Sequence, residues 1–236
     1  MLRTRVLGFG LASVLAVLSS QTLAMPSAMT AVYDVYRNNT SVGYLQCSLK
    51  FTGGQYEYSK FTKATGLAKL LTKARITEKS TGKISGNQIT PLSYLYDERT
   101  RSKTRVEQAR FAGGQASGIY KDNAYTVPTP GDVLDRASLE LAVARDLGRA
   151  LPQLVYQVME RGEVKTYTFT RAGSERLKTP AGEFNTIKVF VKRSGNSDRE
   201  TIYWMAKELD YLPAKMFHKE KGDVIRTDLR KYNRGR

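Results

Sequence analysis

Short runs of alternating apolar and polar residues dominate this sequence. In one central run, Ile187, Val189 and Val191 fall on one side of the chain and the residues between them on the other. This period of two is typical of a β-strand with one buried face. Pro180–Glu183 before the run and Gly195–Asp198 after it carry the proline, glycine and asparagine residues that favour turns. The pattern predicts neighbouring antiparallel strands joined by tight turns.

The same alternation extends over most of the chain. Thr30–Tyr36 and Val42–Phe51 repeat it, and turn residues recur at Gly53-Gly54, Gly113-Gly114 and Lys221–Asp223. No internal repeat, low-complexity tract or linker divides the sequence. We therefore predict a mainly β fold, an antiparallel meander that forms a single domain.

One segment has the periodicity of a helix. The apolar residues at the spacing of one helix face are Leu134, Ala137, Leu141, Ala144 and Leu147. Asp132 could cap the start of this helix and Gly148 could end it. We expect one short helix around residues 132–147, which packs one face on the sheet or plugs an open end of a barrel. For Thr65–Lys73 the periodicity is compatible with a bent strand or with a helical turn.

A set of residues in the second half of the chain carries a family resemblance. The set consists of Glu175, Thr179-Pro180, Gly182, Phe184, Thr186–Val189, Trp204 and Leu212-Pro213. It resembles the exported bacterial domain-of-unknown-function family 3108. Tyr33–Gly43 is similar to the family's opening hairpin, and Asp135–Arg145 to its short helical segment. The resemblance implies a lipocalin-like or half-open β-barrel in the bacterial envelope, and it supplies no catalytic or binding residues to carry over.

The first 24 residues have the pattern of a secretory signal peptide. Arg3 and Arg5 precede an apolar run from Val6 to Leu18, and small residues stand before a cleavage point after Ala24. The apolar run is shorter than the roughly 20 residues that a membrane-spanning helix needs. We therefore predict a signal peptide at residues 1–24, one domain at 25–236, and a periplasmic protein without a transmembrane helix after cleavage.

Composition adds a strongly positive charge. The chain has 38 Lys and Arg against 22 Asp and Glu, a formal net charge of +16. Such a balance favours association with anionic partners. Because export separates the protein from nucleic acid, we expect its anionic partners to be lipid headgroups, lipopolysaccharide phosphates or peptidoglycan carboxylates.

Four cations stand at alternate positions in the middle of the chain: Arg99, Arg101, Lys103 and Arg105. On a strand, this spacing would place all four charges on one face. The stripe is compatible with a solvated strand face that discourages aggregation, and with an anion-binding site at the mouth of a barrel. Trp204, next to Tyr203, is compatible with a core residue or with the lining of an apolar pocket. These five residues are the candidate ligand-binding residues.

The sequence offers few groups for catalysis. His218 is the single histidine, and no nucleophile elbow or zinc-ligand spacing accompanies it. Cys47 is the single cysteine, so we expect no internal disulfide, and its position on a strand face beside Leu45 and Leu49 favours a buried thiol. We predict that the protein is not an enzyme and that it has no metal and no cofactor.

Two functional hypotheses remain. The first is a periplasmic binding protein for a hydrophobic or amphipathic anionic ligand, such as a lipid or a lipopolysaccharide-like molecule. The alternative is an envelope interaction or structural protein that docks through its basic surface to peptidoglycan or to an acidic protein. A hydrolase that uses His218 is a third and weaker hypothesis. The sequence leaves the oligomeric state and the identity of any partner open.

Overall fold

The computed structural model describes residues 25–149, 151–195 and 199–235. The predicted signal peptide, residues 1–24, lies outside this range, and so does part of the turn predicted at Gly195–Asp198. The described chain forms fifteen strands: β1 (Met29–Arg37), β2 (Thr40–Thr52), β3 (Gln55–Ala64), β4 (Arg75–Ser85), β5 (Gln88–Arg99), β6 (Thr104–Ala112), β7 (Gln115–Tyr120), β8 (Asn123–Pro128), β9 (Val133–Leu134), β10 (Gln153–Glu160), β11 (Glu163–Thr179), β12 (Gly182–Arg193), β13 (Arg199–Ala206), β14 (Leu212–Glu220) and β15 (Asp223–Arg234). Two α-helices, α1 (Gly66–Thr72) and α2 (Arg136–Leu147), and a 3₁₀ turn at Lys207–Leu209 complete the described elements.

All fifteen strands belong to one sheet. Its order is β8-β7-β6-β5-β4-β3-β2-β1-β15-β14-β13-β12-β11-β10-β9, and every pairing is antiparallel except the parallel pair β9 and β10. The first and last strands therefore meet in the middle of the sheet, where Val35 lies opposite Thr227. The prediction of a mainly β antiparallel meander is confirmed.

The sheet curls into a half-open barrel. Its two edge strands, β8 and β9, are not hydrogen-bonded to each other, but side chains bridge the gap. Ala116, Val133 and Met159 form a small buried cluster there, with Tyr125 and Val127 packed against it. The open sheet differs from the closed eight-stranded barrel of a lipocalin, which has no free edges.

Helix α2 lies against the concave face of the sheet and is buried on nearly every side. Its first turn is capped by Asp135, whose carboxylate accepts hydrogen bonds from the backbone N–H groups of Ala137 and Ser138. The expected cap at Asp132 is wrong, because Val133–Leu134 pairs as a short strand with β10 before the helix begins. The helix ends at Leu147, next to Gly148, as predicted. It fills the barrel interior beside the core residues of β1, β2 and β15.

The ambiguous segment at Thr65–Lys73 contains helix α1. This helix lies outside the barrel, between β3 and β4, and contributes no buried residue to the core. Neither helix in the described chain is long and apolar enough to cross a membrane.

Cys47 lies on the concave face of β2 and is buried, as the sequence predicted. Burial raises the pKa of its thiol to about 12, although the nearby Lys60 acts in the opposite direction. The thiol is therefore protonated at neutral pH, the state in which cysteine is a poor nucleophile.

Candidate functional site

A cavity of about 1070 Å³ occupies the concave side of the sheet. It lies towards the end of the barrel where the β5–β6, β10–β11, β12–β13 and β14–β15 hairpins turn, because residues next to each of these turns line it. Helix α2 fills the interior beyond the cavity and contributes Leu139 and Val143 to its wall. The meander thus produces a pocket that is closed by a helix and bordered by hairpin turns.

One part of the cavity wall is apolar and aromatic. Phe169 of β11 and Tyr203 of β13 lie with their ring centroids 6.5 Å apart. Met205 of β13, Met216 of β14 and Ile225 of β15 extend the same wall. These side chains alternate with outward-facing residues, so the period of two that predicts the strands also produces the apolar wall. Such a wall is suited to hydrocarbon.

The rest of the wall is charged, with an excess of cations. Eight Lys and Arg residues line it against five Glu residues. The cations are Lys60, Lys103, Arg105, Arg136, Arg161, Lys192, Arg193 and Arg199. The carboxylates are Glu78, Glu140, Glu160, Glu200 and Glu220.

Lys60 is held between two carboxylates at the inner end of the cavity. Its Nζ lies 2.5 Å from Glu140 Oε1 of α2 and 3.1 Å from Glu78 Oε2 of β4. Tyr58 donates a hydrogen bond to the other oxygen of Glu140. Burial alone would lower the pKa of Lys60, but Glu140 and Glu78 outweigh burial, and the pKa lies well above its ordinary value.

Arg136, at the start of α2, joins this group to the neighbouring strands β5 and β6. Its guanidinium donates two hydrogen bonds to the Tyr94 hydroxyl and lies 3.8 Å from Glu78 and 3.6 Å from Glu107. Burial would raise the pKa of Glu78, but Lys60 and Arg136 together lower it to about 2. Burial raises the pKa of Glu107 against the influence of Arg136. The helix is therefore anchored to several strands by ionised side chains.

A second ion pair lies nearer to the turns. Both carboxylate oxygens of Glu160 are 2.7 Å from Arg193 Nη1, and Tyr167 donates a hydrogen bond to Glu160. Burial would raise the pKa of Glu160, but Arg136 and Arg193 outweigh it and hold the pKa below its usual range. Cations at the inner end of the cavity and near the turns are thus held in ion pairs.

His218 also lines the cavity. Its Nδ1 lies 2.7 Å from the Thr201 hydroxyl, and its Nε2 lies 3.6 Å from Glu220. Thr201 and His218 are directly opposite each other on β13 and β14, so strand register accounts for their contact. Glu220 is also paired with Arg199 at 2.5 Å. Among the described residues, no group of three His, Cys, Asp or Glu side chains is arranged to hold a metal ion.

The predicted basic stripe does not lie on one strand. Strand β5 ends at Arg99 and β6 begins at Thr104, and the hairpin turn between them is closed by a hydrogen bond of 2.8 Å from Thr100 N to Lys103 O. The prediction of a single strand face is wrong because the alternating Thr, Ser and basic residues fit a strand and this turn equally well.

The turn divides the four cations between two places. Lys103 and Arg105 line the cavity, where Arg105 pairs with Glu98 at 2.7 Å and lies 5.1 Å from the centre of the Tyr96 ring. Arg99 and Arg101 are exposed on the outer side of the turn, next to α1. Only the first pair therefore occupies the position that the anion-binding hypothesis requires.

Trp204 does not line the cavity. It lies on the convex face of β13, where its indole N–H donates to Glu175 and the Nζ atoms of Lys188 and Lys215 lie 5.3 and 4.9 Å from its ring. Tyr203 and Met205 lie on the other face of β13, which is the face that forms the pocket.

The inner charge cluster was missed from the sequence. Lys60, Glu78 and Glu140 are far apart along the chain, and only the tertiary fold brings them together. The sequence did contain one indication of this cluster. Lys60 falls on the same inward face of β3 as Tyr56 and Tyr58, because the three residues are at alternate positions. A cation that continues an apolar face is a candidate for a buried ion pair.

The comparisons with known proteins concern family and fold. Residues 32–230 match the family described as protein of unknown function, DUF3108. Among solved structures, the chain is similar to a beta-barrel-like protein of domain of unknown function DUF1849 from Brucella abortus, with a TM-score of 0.62, 8% identity, and coverage of 90% of this chain and 99% of that chain. A DUF1089 family protein from Pseudomonas aeruginosa aligns with a TM-score of 0.37, 10% identity, and coverage of 77% and 88%. No curated protein matches the chain significantly. At these identities the Brucella protein supports the barrel-like fold alone, and the Pseudomonas protein is too different in shape to support an argument.

Proposed function

The chain belongs to the DUF3108 family, and from the cavity within its half-open barrel we propose that it is an envelope protein that binds an amphipathic anionic ligand without transforming it. The observation that carries this proposal is the combination of an apolar wall and a cationic excess in one cavity of about 1070 Å³. A lipid or a fragment of lipopolysaccharide has the matching chemistry, with hydrocarbon chains and an anionic head.

The apolar wall would hold the hydrocarbon part of the ligand. Phe169, Tyr203 and Met205 are continuous with the buried core, so a chain that covers them leaves water for an environment of hydrocarbon and aromatic rings. Removing such a chain from water stabilises the complex by about 25 cal/mol for each Å² of apolar surface buried.

The cations near the turns would hold the anionic head. Lys103 is about half exposed and lies 3.4 Å from Glu98, whereas Arg105 and Arg199 are mostly covered and pair with Glu98 and Glu220. A phosphate or carboxylate can accept hydrogen bonds from these guanidinium groups and share them with Glu98 and Glu220. The signal-peptide pattern of residues 1–24 is the support for placing this binding in the periplasm.

The proposal is tested by native mass spectrometry, with lipid extraction, on protein purified from its own periplasm. We expect a bound lipid or lipopolysaccharide fragment of defined mass. Replacing Lys103 and Arg105 with glutamine should lower ligand retention. Replacing Arg110 with glutamine, at an exposed position further along β6, should leave retention unchanged.

A variant that fills the cavity provides a second test. Met216→Trp places a bulky ring among the apolar lining residues, and it should exclude the ligand while preserving the fold. A protein that stays free of ligand even when envelope lipids are added would overturn the proposal. That result would favour the alternative, an envelope protein that docks through its basic surface to peptidoglycan or to an acidic protein.

A further inference from the structure

Helix α1 exposes three leucines at the end of the barrel where the cavity opens. Leu67, Leu70 and Leu71 are 77%, 66% and 75% exposed. Their spacing of three and four residues places them on one face of the helix. Three neighbouring leucines that face water are unusual, because surface leucines are normally scattered singly.

The helix is held firmly although it is not buried. Thr72 donates a hydrogen bond to the Ala68 carbonyl oxygen at 2.7 Å. The β5–β6 turn secures the end of the helix, since the Arg101 N–H donates to Thr72 O at 2.7 Å and the Arg101 guanidinium donates to Leu70 O at 2.9 Å. The leucines therefore project outward from a fixed platform, while Ala68 and Thr72 face the protein.

Cations surround this apolar face. The segment from residue 63 to residue 75 contains Lys63, Lys69, Lys73 and Arg75 and no acidic residue. The adjoining turn from residue 99 to residue 103 adds further Arg and Lys residues, again without an acidic residue. An exposed leucine face bordered by basic side chains is the pattern of a helix that lies in the interface of an anionic membrane.

We propose that α1 and the β5–β6 turn dock the open end of the barrel onto an anionic lipid bilayer. The three leucines enter the boundary between headgroups and acyl chains, and the surrounding cations meet lipid phosphates. Lys103 belongs to the same turn and lines the cavity, so docking brings the mouth of the cavity to the membrane surface. Lys103 is the one residue named in both surfaces, and docking through the leucines does not require that the cavity holds a ligand.

Co-sedimentation of the whole protein with vesicles tests the proposal. We expect binding to vesicles of phosphatidylcholine mixed with phosphatidylglycerol, and much weaker binding to vesicles of phosphatidylcholine alone. Replacing Leu67, Leu70 and Leu71 with serine should lower binding by about tenfold for each leucine that enters the bilayer. Because none of these residues is buried, the fold should be unaffected, which circular dichroism and thermal unfolding would check.

A matched control replaces three other exposed apolar residues, Ile119, Leu151 and Val155, with serine. It removes the same number of apolar side chains away from α1 and should bind vesicles like the wild-type protein. In a second variant, Lys69→Glu with Lys73→Glu should reduce binding to the anionic vesicles, and the remaining binding should depend less on salt concentration.

Several results would overturn the proposal. They are a wild-type protein that does not bind anionic vesicles, equal binding to both kinds of vesicle, and a leucine variant that binds like the wild type. Light scattering without vesicles supplies one more: a wild-type dimer that the leucine variant converts to a monomer would assign the leucine face to a second copy of the chain. None of these measurements depends on retention of a ligand in the cavity, so the docking proposal and the binding proposal can fail independently.

Discussion

Replacing Lys60 with methionine removes a positive charge from between two carboxylates while keeping most of the length of the side chain. In the native protein the side chains of Lys60, Glu78 and Glu140 are only 16%, 12% and 19% exposed. Methionine can occupy the space of the lysine stem. The perturbation is therefore mainly electrostatic, and the two carboxylates are left near each other at the inner end of the cavity.

The expected loss of stability depends on the partners that Glu78 and Glu140 retain. Glu78 still lies 3.8 Å from Arg136 and accepts a hydrogen bond from Tyr94. Within the described part of the chain, Lys60 is the only cation paired with Glu140, which would keep just its hydrogen bond from Tyr58. Removing one partner of a buried ion pair costs about 3–5 kcal/mol, and the arginine that remains beside Glu78 places this case at about 3 kcal/mol. For a protein of this size, such a loss lowers the melting temperature by about 10 °C.

Urea unfolding followed by Trp204 fluorescence measures this cost, since Trp204 is the single tryptophan and is buried on the convex face. The comparison requires the wild type, Lys60→Met, Glu140→Gln and the double variant. We expect the double variant to be more stable than Lys60→Met alone by about 1–2 kcal/mol, because it no longer leaves Glu140 ionised without a cation. A Lys60→Met protein within about 1 kcal/mol of the wild type, or penalties that simply add, would refute the reasoning.

Two further predictions concern the helix cap and a close strand contact. Burial raises the pKa of Asp135 to about 6 from an ordinary value of 3.8, against the hydrogen bonds from Ser80 and Ser138, so the folded state takes up a proton before the unfolded state does as the pH falls. Relative to Asp135→Asn, the wild type should therefore gain about 2–3 kcal/mol of unfolding free energy between about pH 7 and about pH 4, and urea titrations that show a constant difference would contradict this. Gly118→Ala would place a Cβ 1.8 Å from the backbone oxygen of Gln108, and it should cost about 1–3 kcal/mol in thermal unfolding. Gly148→Ala, where the added Cβ would meet nothing closer than 3.8 Å, should cost little, and equal costs at the two glycines would contradict the steric argument.

The sequence predicted most of the strands because their two faces differ in polarity. In β1, Met29, Ala31, Tyr33 and Val35 are buried and the residues between them are not, so the period of two is visible without tertiary information. Glycine and asparagine at the turns marked where the chain reverses. A meander needs little more than these local signals, which explains why the fold class was predictable.

The candidate site was less predictable, because its position depends on the curvature of the sheet. On β13, Ile202 and Trp204 face one way and Tyr203 and Met205 the other, and both faces are largely apolar. Periodicity therefore cannot identify the concave face, and it left Trp204 open between a core residue and the lining of a pocket. The turn after Arg99 was missed for a different reason, since it contains no glycine, proline or asparagine.

The pairing of β1 with β15 has a consequence for the order of events in folding. The two arms of the sheet, β1–β8 and β9–β15, consist of strands paired with their neighbours in sequence, so each arm can form through local contacts. The joint between the arms brings together residues such as Asp34 and Arg230, which are 196 positions apart. Closing so long a loop is slow, and it cannot begin until the last strand has been synthesised. Until then the edge of β1 that will pair with β15 is free to join another chain, so the period before this pairing is the one in which aggregation is favoured.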